Sequence, residues 1–338
     1  MFKPFLFAAG LALATTPALA GEVPGEVNVY TSRQPELIQP IFDAFTAESG
    51  IEVNVLYSGK GLIERMKAEG SRSPADLYIT ADIANVKAAT DAGLTQPHGS
   101  AVVDAVVPAE LRDAGGHWFA LTTRARVVYA SKERVAEGAV TTYEDLADPK
   151  WKGRICIRPG SHSYNLSLIA AMIAHKGPEQ AREWVKGLKA NLARTPQGND
   201  RAQVKAVWAG ECDIAIGNTY YMGKMLAKPD QRAWADSVNV VFPVFEGGGA
   251  HINISGAAVT QSSPNHDNAM KLIDFMLSAE AQKLYAELNY EYPVRAGVAP
   301  SDLVAGWGGF EPDNIPLTRI AELRGEALKI VGETGFDN

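Results

Sequence analysis

Short apolar runs alternate along this chain with longer segments whose apolar residues recur every three or four positions. In Glu26 to Thr31, Val27 and Val29 alternate with polar neighbours, the period of a half-buried strand. Ser32-Arg33-Gln34 reads as a turn, and Pro35 sits well at a first helical position. From Pro35 to Ser49, Leu37, Ile38, Ile41, Phe42 and Phe45 fall on one helical face, and Gly50 stops the helix. The same grammar predicts strands at Ile51–Tyr57, Ala75–Thr80, Trp118–Leu121, Val127–Ala130, Ile155–Ile157, Ile214–Ile216, Val238–Val244 and Ala250–Val259. It predicts helices at Leu62–Glu69, Ile83–Ala92, Leu166–His175, Gln180–Leu188, Arg201–Ala209, His266–Leu277 and Ala279–Leu288, with a helical end from Leu317 to Glu333.

Strands alternating with helices define an α/β fold. Two segments, Leu121–Arg126 and Phe242–Gly249, are candidate crossings between lobes. If the chain crosses twice, both lobes are discontinuous and two connecting strands form a hinge, with the ligand in the cleft. The expected division is residues 21–122 plus 249–298 for the N-terminal lobe, and residues 123–248 plus 299–338 for the C-terminal lobe.

The first 20 residues read as an export signal: Lys3, then apolar Phe5 to Ala14, then Ala18-Leu19-Ala20 as a small-x-small cleavage site. Its loss removes Lys3 and takes the formal net charge from −7 to −8. An acidic chain without basic blocks argues against nucleic acid as a partner, and no later stretch is apolar enough to span a bilayer. Export places Cys156 and Cys212 in an oxidising compartment. They read as a disulfide or as two free buried thiols.

The candidate chemistry lies in three tyrosines. Tyr220 and Tyr221 follow Ile214-Ala215-Ile216, where a loop is expected, and Tyr164 follows Ile155-Cys156-Ile157 in the same way. Cys156 precedes Tyr164 by eight residues and Cys212 precedes Tyr220 by eight. Equal offsets suggest adjacent parallel strands that end in tyrosines at one level, where α/β proteins place binding groups. Phenolate oxygen is a hard anionic donor suited to a hard, highly charged cation, and no Cys-x-x-Cys or paired-histidine spacing offers a softer site.

Val29-Tyr30-Thr31-Ser32-Arg33, Ser73-Pro74-Ala75-Asp76-Leu77, Thr123-Arg124-Ala125-Arg126, Gln197-Gly198-Asn199-Asp200-Arg201, Asn218-Thr219-Tyr220-Tyr221 and Asn253-Ile254-Ser255-Gly256 together carry a resemblance over the whole mature chain. The chain resembles the periplasmic ferric iron-binding proteins, the solute-binding components of ABC-type iron transporters, of the bacterial transferrin-like family. That resemblance implies a bilobal type II periplasmic binding protein, monomeric, which hands iron to a permease in the inner membrane. It implies that Tyr220, Tyr221 and Tyr164 are Fe³⁺ ligands. It also implies a synergistic anion, carbonate or bicarbonate, with Arg124, Ser32 and Arg33 as candidate anion-binding residues. The family's first-lobe His or Tyr is replaced here by Arg33-Gln34-Pro35, and its Glu after the third strand by Thr80-Ala81-Asp82. Gln34, Asp82 and Tyr30 are the remaining candidates for a first-lobe ligand.

Three phenolates would neutralise a trivalent cation and leave octahedral positions for a bidentate anion, whose charge an arginine fork would offset. The competing readings are a related binding protein for an oxyanion, phosphonate or polyamine, and an exported enzyme. No His-Glu-x-x-His, Gly-x-Ser-x-Gly or Walker loop supports the enzyme.

Overall fold

The computed structural model describes residues 25–338; the expected export signal lies outside the described residues. In chain order the strands are β1 (Glu26–Thr31), β2 (Glu52–Tyr57), β3 (Leu77–Thr80), β4 (Thr95–Gln96), β5 (Phe119–Ser131), β6 (Ile155–Cys156), β7 (Ile214–Asn218), β8 (Val238–Val241), β9 (Ile252–Thr260) and β10 (Tyr292–Pro293). The first helices are α1 (Pro35–Ser49), α2 (Leu62–Glu69), α3 (Ile83–Asp91), α4 (Ala101–Val106), α5 (Ser163–Lys176), α6 (Pro178–Ala190) and α7 (Asp200–Trp208). They are followed by α8 (Thr219–Leu226), α9 (Pro229–Asp236), α10 (His266–Met276), α11 (Ala279–Asn289), α12 (Asp302–Ala305), α13 (Leu317–Glu322) and α14 (Arg324–Glu333).

The strands run in the order β2-β1-β3-β9-β5-β7-β6. β1 lies between β2 and β3, parallel to both. α1 covers this end of the sheet with Leu37, Ile38, Ile41, Phe42 and Phe45, the face expected from the periodicity. At the other end β6 and β7 pair in parallel, with Cys156 opposite Ala215. The Cys156–Cys212 disulfide joins them, with Cα atoms 5.9 Å apart.

The segment differs from the expectation of two short strands around Thr122–Arg126. β5 is one continuous strand of 13 residues. Its first half pairs with β9, from Phe119 to Ala125. Its second half pairs with β7 on one side and β8 on the other. The polar run that resembles a loop is buried strand: Arg124 is 1% exposed and Arg126 2%. Their polarity belongs to the site they face rather than to solvent. β9 pairs with β3 and with β5, and so joins the two ends of the sheet.

The C-terminal segment divides at Leu323 into α13 and α14, where the composition predicts one helical stretch. α13 packs against both α3 and α5, and α14 packs against α5. Gly249 lies against the backbone of Pro312, where a Cβ would collide. Among the described residues, no helix is long and apolar enough to cross a membrane.

Candidate metal centre

Tyr220 and Tyr221 occupy the first turn of α8, and Tyr164 the first turn of α5. Both turns come soon after strand ends, so the phenols stand on helix N-termini rather than on the loops expected from the sequence. A helix presents its side chains at fixed angles, and here it brings the rings together. The Tyr164 hydroxyl lies 3.1 Å from the Tyr220 hydroxyl. The Tyr220 and Tyr221 ring centroids are 4.3 Å apart. Leu37 of α1 packs on the pair, with Tyr164 and Tyr290 at the margin.

Burial dominates the electrostatics of the pair. Tyr220 is 3% exposed and Tyr221 2%. Burial, and then the neighbouring tyrosines, push the Tyr220 phenol well above its ordinary range, and burial does the same to Tyr221. Without a cation both are neutral phenols.

A positive shell stands behind them. The Arg158, Arg124 and Arg126 guanidinium carbons lie 5.0, 5.7 and 5.8 Å from the Tyr164 ring centroid. Arg126 donates to Asp200 at 2.8 Å, to Asn218 Oδ1 at 3.0 Å and to Asn165 Oδ1 at 2.6 Å. Arg158 donates to the other oxygen of Asp200 at 3.0 Å. Burial pushes Asp200 up, but Arg126 and Arg158 outweigh it and hold the carboxyl below the usual carboxylate range. Arg126 and Arg158 thus share the Asp200 carboxylate, while the Arg124 charge acts on Asp82. His162 and His251, whose pKa values are lowered to about 3 by burial and the nearby arginines, add no charge at neutral pH.

Arg124 is the least satisfied of the three. One terminal nitrogen donates to the Ala81 carbonyl. Its Nε and its other terminal nitrogen are buried without a partner. They border a small cavity lined by Arg126, Tyr164, Asn218, His251 and Asn253. Two unpaired buried donors beside a tyrosine cluster fit an oxyanion.

The other candidates are placed differently. Arg33 forms a buried ion pair with Glu291, both terminal nitrogens at 3.0 Å, and also donates to Ser255. It serves that carboxylate instead of standing open to an anion. Ser32 donates its hydroxyl to Thr80 at 3.0 Å. Asp82 caps α3 by accepting from Ala84 N–H at 2.9 Å and accepts from Ser167 and Asn253 at 3.0 Å. Tyr30 donates to Glu69, away from the other tyrosines. Gln34 does reach the cluster: its amide nitrogen lies 3.4 Å from the Tyr221 hydroxyl, and its oxygen 3.5 Å from Arg201. The Arg201 guanidinium also stands 5.2 Å from the Tyr221 ring centroid.

Sequence reasoning missed Arg126, Arg158, Asp200 and Arg201 as parts of the site. Three of them sit inside the motifs that carry the family resemblance, but their charge hid them among ordinary surface residues. Among the described residues, no group of three or more His, Cys, Asp and Glu side chains comes together in a way that suits a metal ion. The three tyrosine hydroxyls are the oxygen donors that these helix starts bring together.

Two sheet ends joined by long shared strands, with polar groups gathered at the carboxyl ends of strands, define a periplasmic-binding-protein fold. The chain belongs to the bacterial extracellular solute-binding proteins, whose family profile matches residues 72–305. It is 44% identical to iron uptake protein A1 of a Synechocystis strain, over 93% of this chain and 89% of that protein. It is 32% identical to the major ferric iron-binding protein of Neisseria meningitidis, over 98% and 97% of the two chains. Among solved structures it is similar to apo ferric ion-binding protein A of Pasteurella haemolytica, with a TM-score of 0.90 and 50% identity over 93% of this chain and 98% of that one. The family binds and carries solutes, in keeping with the expectation of a binding protein rather than an enzyme.

Proposed function

We propose that this protein captures ferric iron in the periplasm through the phenolates of Tyr164, Tyr220 and Tyr221 and delivers it to an ABC-type permease. The observation that carries the reading is the 3.1 Å contact between the Tyr164 and Tyr220 hydroxyls, with the Tyr221 ring tilted against Tyr220 in the same buried cluster. The names of the relatives, iron uptake and ferric iron-binding proteins, support the same cargo.

The chemistry follows from charge. A trivalent cation displaces three phenolic protons and meets three negative oxygens. A divalent cation gains less from the same set. The unpaired buried donors of Arg124 then accommodate a synergistic anion of the carbonate type, with Arg124 as its principal donor. The tyrosines and Arg124 stand on elements of the C-terminal lobe or its edge, while Gln34 approaches Tyr221 from α1's side of the cleft. We therefore assign the lobes as residues 21–122 plus 249–298 and residues 123–248 plus 299–338, with β5 and β9 as the hinge and a monomer as the working unit. Closure brings Gln34 and Leu37 onto the loaded tyrosines, and opening by the permease exposes them.

Ferric iron and bicarbonate added to purified protein test this reading. The expected result is a visible charge-transfer band that weakens in Tyr220→Phe with the fold intact. A band in wild type that survives all three Tyr→Phe changes would count against it.

A further inference from the structure

Among the described residues, Tyr290 is the one residue other than glycine with a positive φ. It closes α11 at φ 60° and ψ 32°, the left-handed conformation that helix ends normally give to glycine. Both of its neighbours are fastened to the start of α1. Asn289 donates to the Leu37 carbonyl, and Glu291 holds Arg33 in a buried ion pair at 3.0 Å. A tyrosine keeps this unfavourable backbone because anchored residues on either side over-determine it.

The Tyr290 ring lies against Gly223 of α8. A Cβ built on Gly223 would sit 2.1 Å from Tyr290 Cγ, and 2.4 and 2.6 Å from its Cδ atoms. Glycine inside a helix is itself unfavourable, since it gives up more backbone freedom than alanine. Two locally disfavoured choices, a tyrosine in the left-handed region and a glycine inside α8, thus meet at one contact. Gly223 follows Tyr220 by three positions and Tyr221 by two. The Tyr290 ring also packs at the edge of the Leu37, Tyr220 and Tyr221 cluster. Polar contacts nearby are longer: Gln34 to the Tyr221 hydroxyl at 3.4 Å, Lys224 to the Glu36 carbonyl at 3.4 Å, and Arg201 to the Glu36 carboxylate at 3.6 Å.

We propose that Tyr290 and Gly223 form a closure latch: a ring fixed to α1's side of the cleft seats on the bare backbone of the helix that carries Tyr220 and Tyr221, and the parting of this contact sets how fast bound iron leaves. Tyr290 is a positioning residue, and its hydroxyl is not a metal ligand. This rests on the ferric reading of the tyrosine centre and on the two-lobe assignment.

The test loads purified protein with ferric iron in bicarbonate, adds excess chelator and follows the decay of the visible band. Wild type is compared with Tyr290→Gly, Gly223→Ala, their double variant and Tyr290→Phe. Tyr290→Gly removes the ring and places glycine where the backbone favours it, so the fold is expected to hold. It should lose iron faster by about tenfold or more, the loss of one half-buried ring's packing. Gly223→Ala should also release faster, because its methyl displaces the ring. The double variant should be no faster than Tyr290→Gly alone, since the methyl then meets no ring. Tyr290→Phe keeps the ring and should release at the wild-type rate with an unweakened band. Wild-type release in Tyr290→Gly, or effects that multiply in the double variant, overturns the latch while leaving the ferric centre standing. A weakened band in Tyr290→Phe makes Tyr290 a ligand and also overturns it. If Gly223→Ala does not fold, Tyr290→Gly and Tyr290→Phe decide between these outcomes. Absence of any band in wild type overturns the ferric centre and the latch with it.

Discussion

The hydroxyls of Tyr164 and Tyr220 lie 3.1 Å apart although the residues are 56 positions apart in the chain. The contact exists because β6 and β7 are parallel neighbours and each feeds a helix whose first turn carries a tyrosine. β7 runs directly into α8, while β6 ends opposite Ala215 and residues 157–162 carry the chain on to α5, so that the first turns of the two helices meet. The site is thus a product of topology, and the charges around it decide what it holds.

Iron binding should be strongly pH-dependent. The Tyr220 and Tyr221 phenols are raised by burial, so both are protonated at neutral pH and each loses a proton to the metal. Apparent affinity should therefore rise with pH, by as much as about a hundredfold per unit from these two groups alone. Competition against a chelator of known pH dependence, at constant anion activity, measures the slope. A flat profile contradicts proton displacement.

Replacing Arg124 by Lys should separate anion from metal. The charge remains but the fork is lost, and two buried donors that have no partner in the protein disappear. Ferric affinity in bicarbonate is expected to fall by about tenfold to a hundredfold, the loss of one or two charge-assisted hydrogen bonds. The position of the visible band should become insensitive to the anion. A variant as anion-dependent as wild type would remove Arg124 from that role.

Asp200→Asn should be costly to stability. It leaves Arg126 and Arg158 buried without their shared carboxylate, for which about 3–5 kcal/mol is expected at pH 7. The sign of the pH dependence follows from its lowered folded pKa. The contribution is present above the unfolded value of about 3.9 and lost as pH falls through the folded value. Urea unfolding of both proteins from pH 7 downward should show the difference shrinking in acid.

Removing the disulfide should weaken the fold more than the site. Cys156 and Cys212 close a loop across 56 residues, worth about 4 kcal/mol by chain entropy. The Cys156→Ala/Cys212→Ala protein should unfold at lower urea while its visible iron band stays in place. Loss of the band at full folding would mean that the bridge sets the tyrosine geometry.

Much of this architecture is legible in the sequence, for physical reasons. The α1 face of Leu37, Ile38, Ile41, Phe42 and Phe45 is readable because amphipathic periodicity reports burial directly. The parallel pairing of β6 with β7 is readable from the equal offsets of cysteine and tyrosine, but not its register, which sets Cys156 opposite Ala215 rather than Cys212. The continuity of β5 is not, because Thr122 to Arg126 carries polar side chains whose partners are distant in sequence. Likewise Arg33 reads as an anion donor until Glu291, 258 residues away, is placed against it.

The most direct test of the central claim is a ferric titration of the apo protein followed at visible wavelengths, in wild type and in Tyr164→Phe, Tyr220→Phe and Tyr221→Phe. The account predicts a phenolate-to-iron band that saturates at about one ferric ion per protein, weakened by each substitution, since each removes one anionic oxygen from the cation. A colourless wild-type protein that still binds iron, or a band indifferent to all three substitutions, would contradict it.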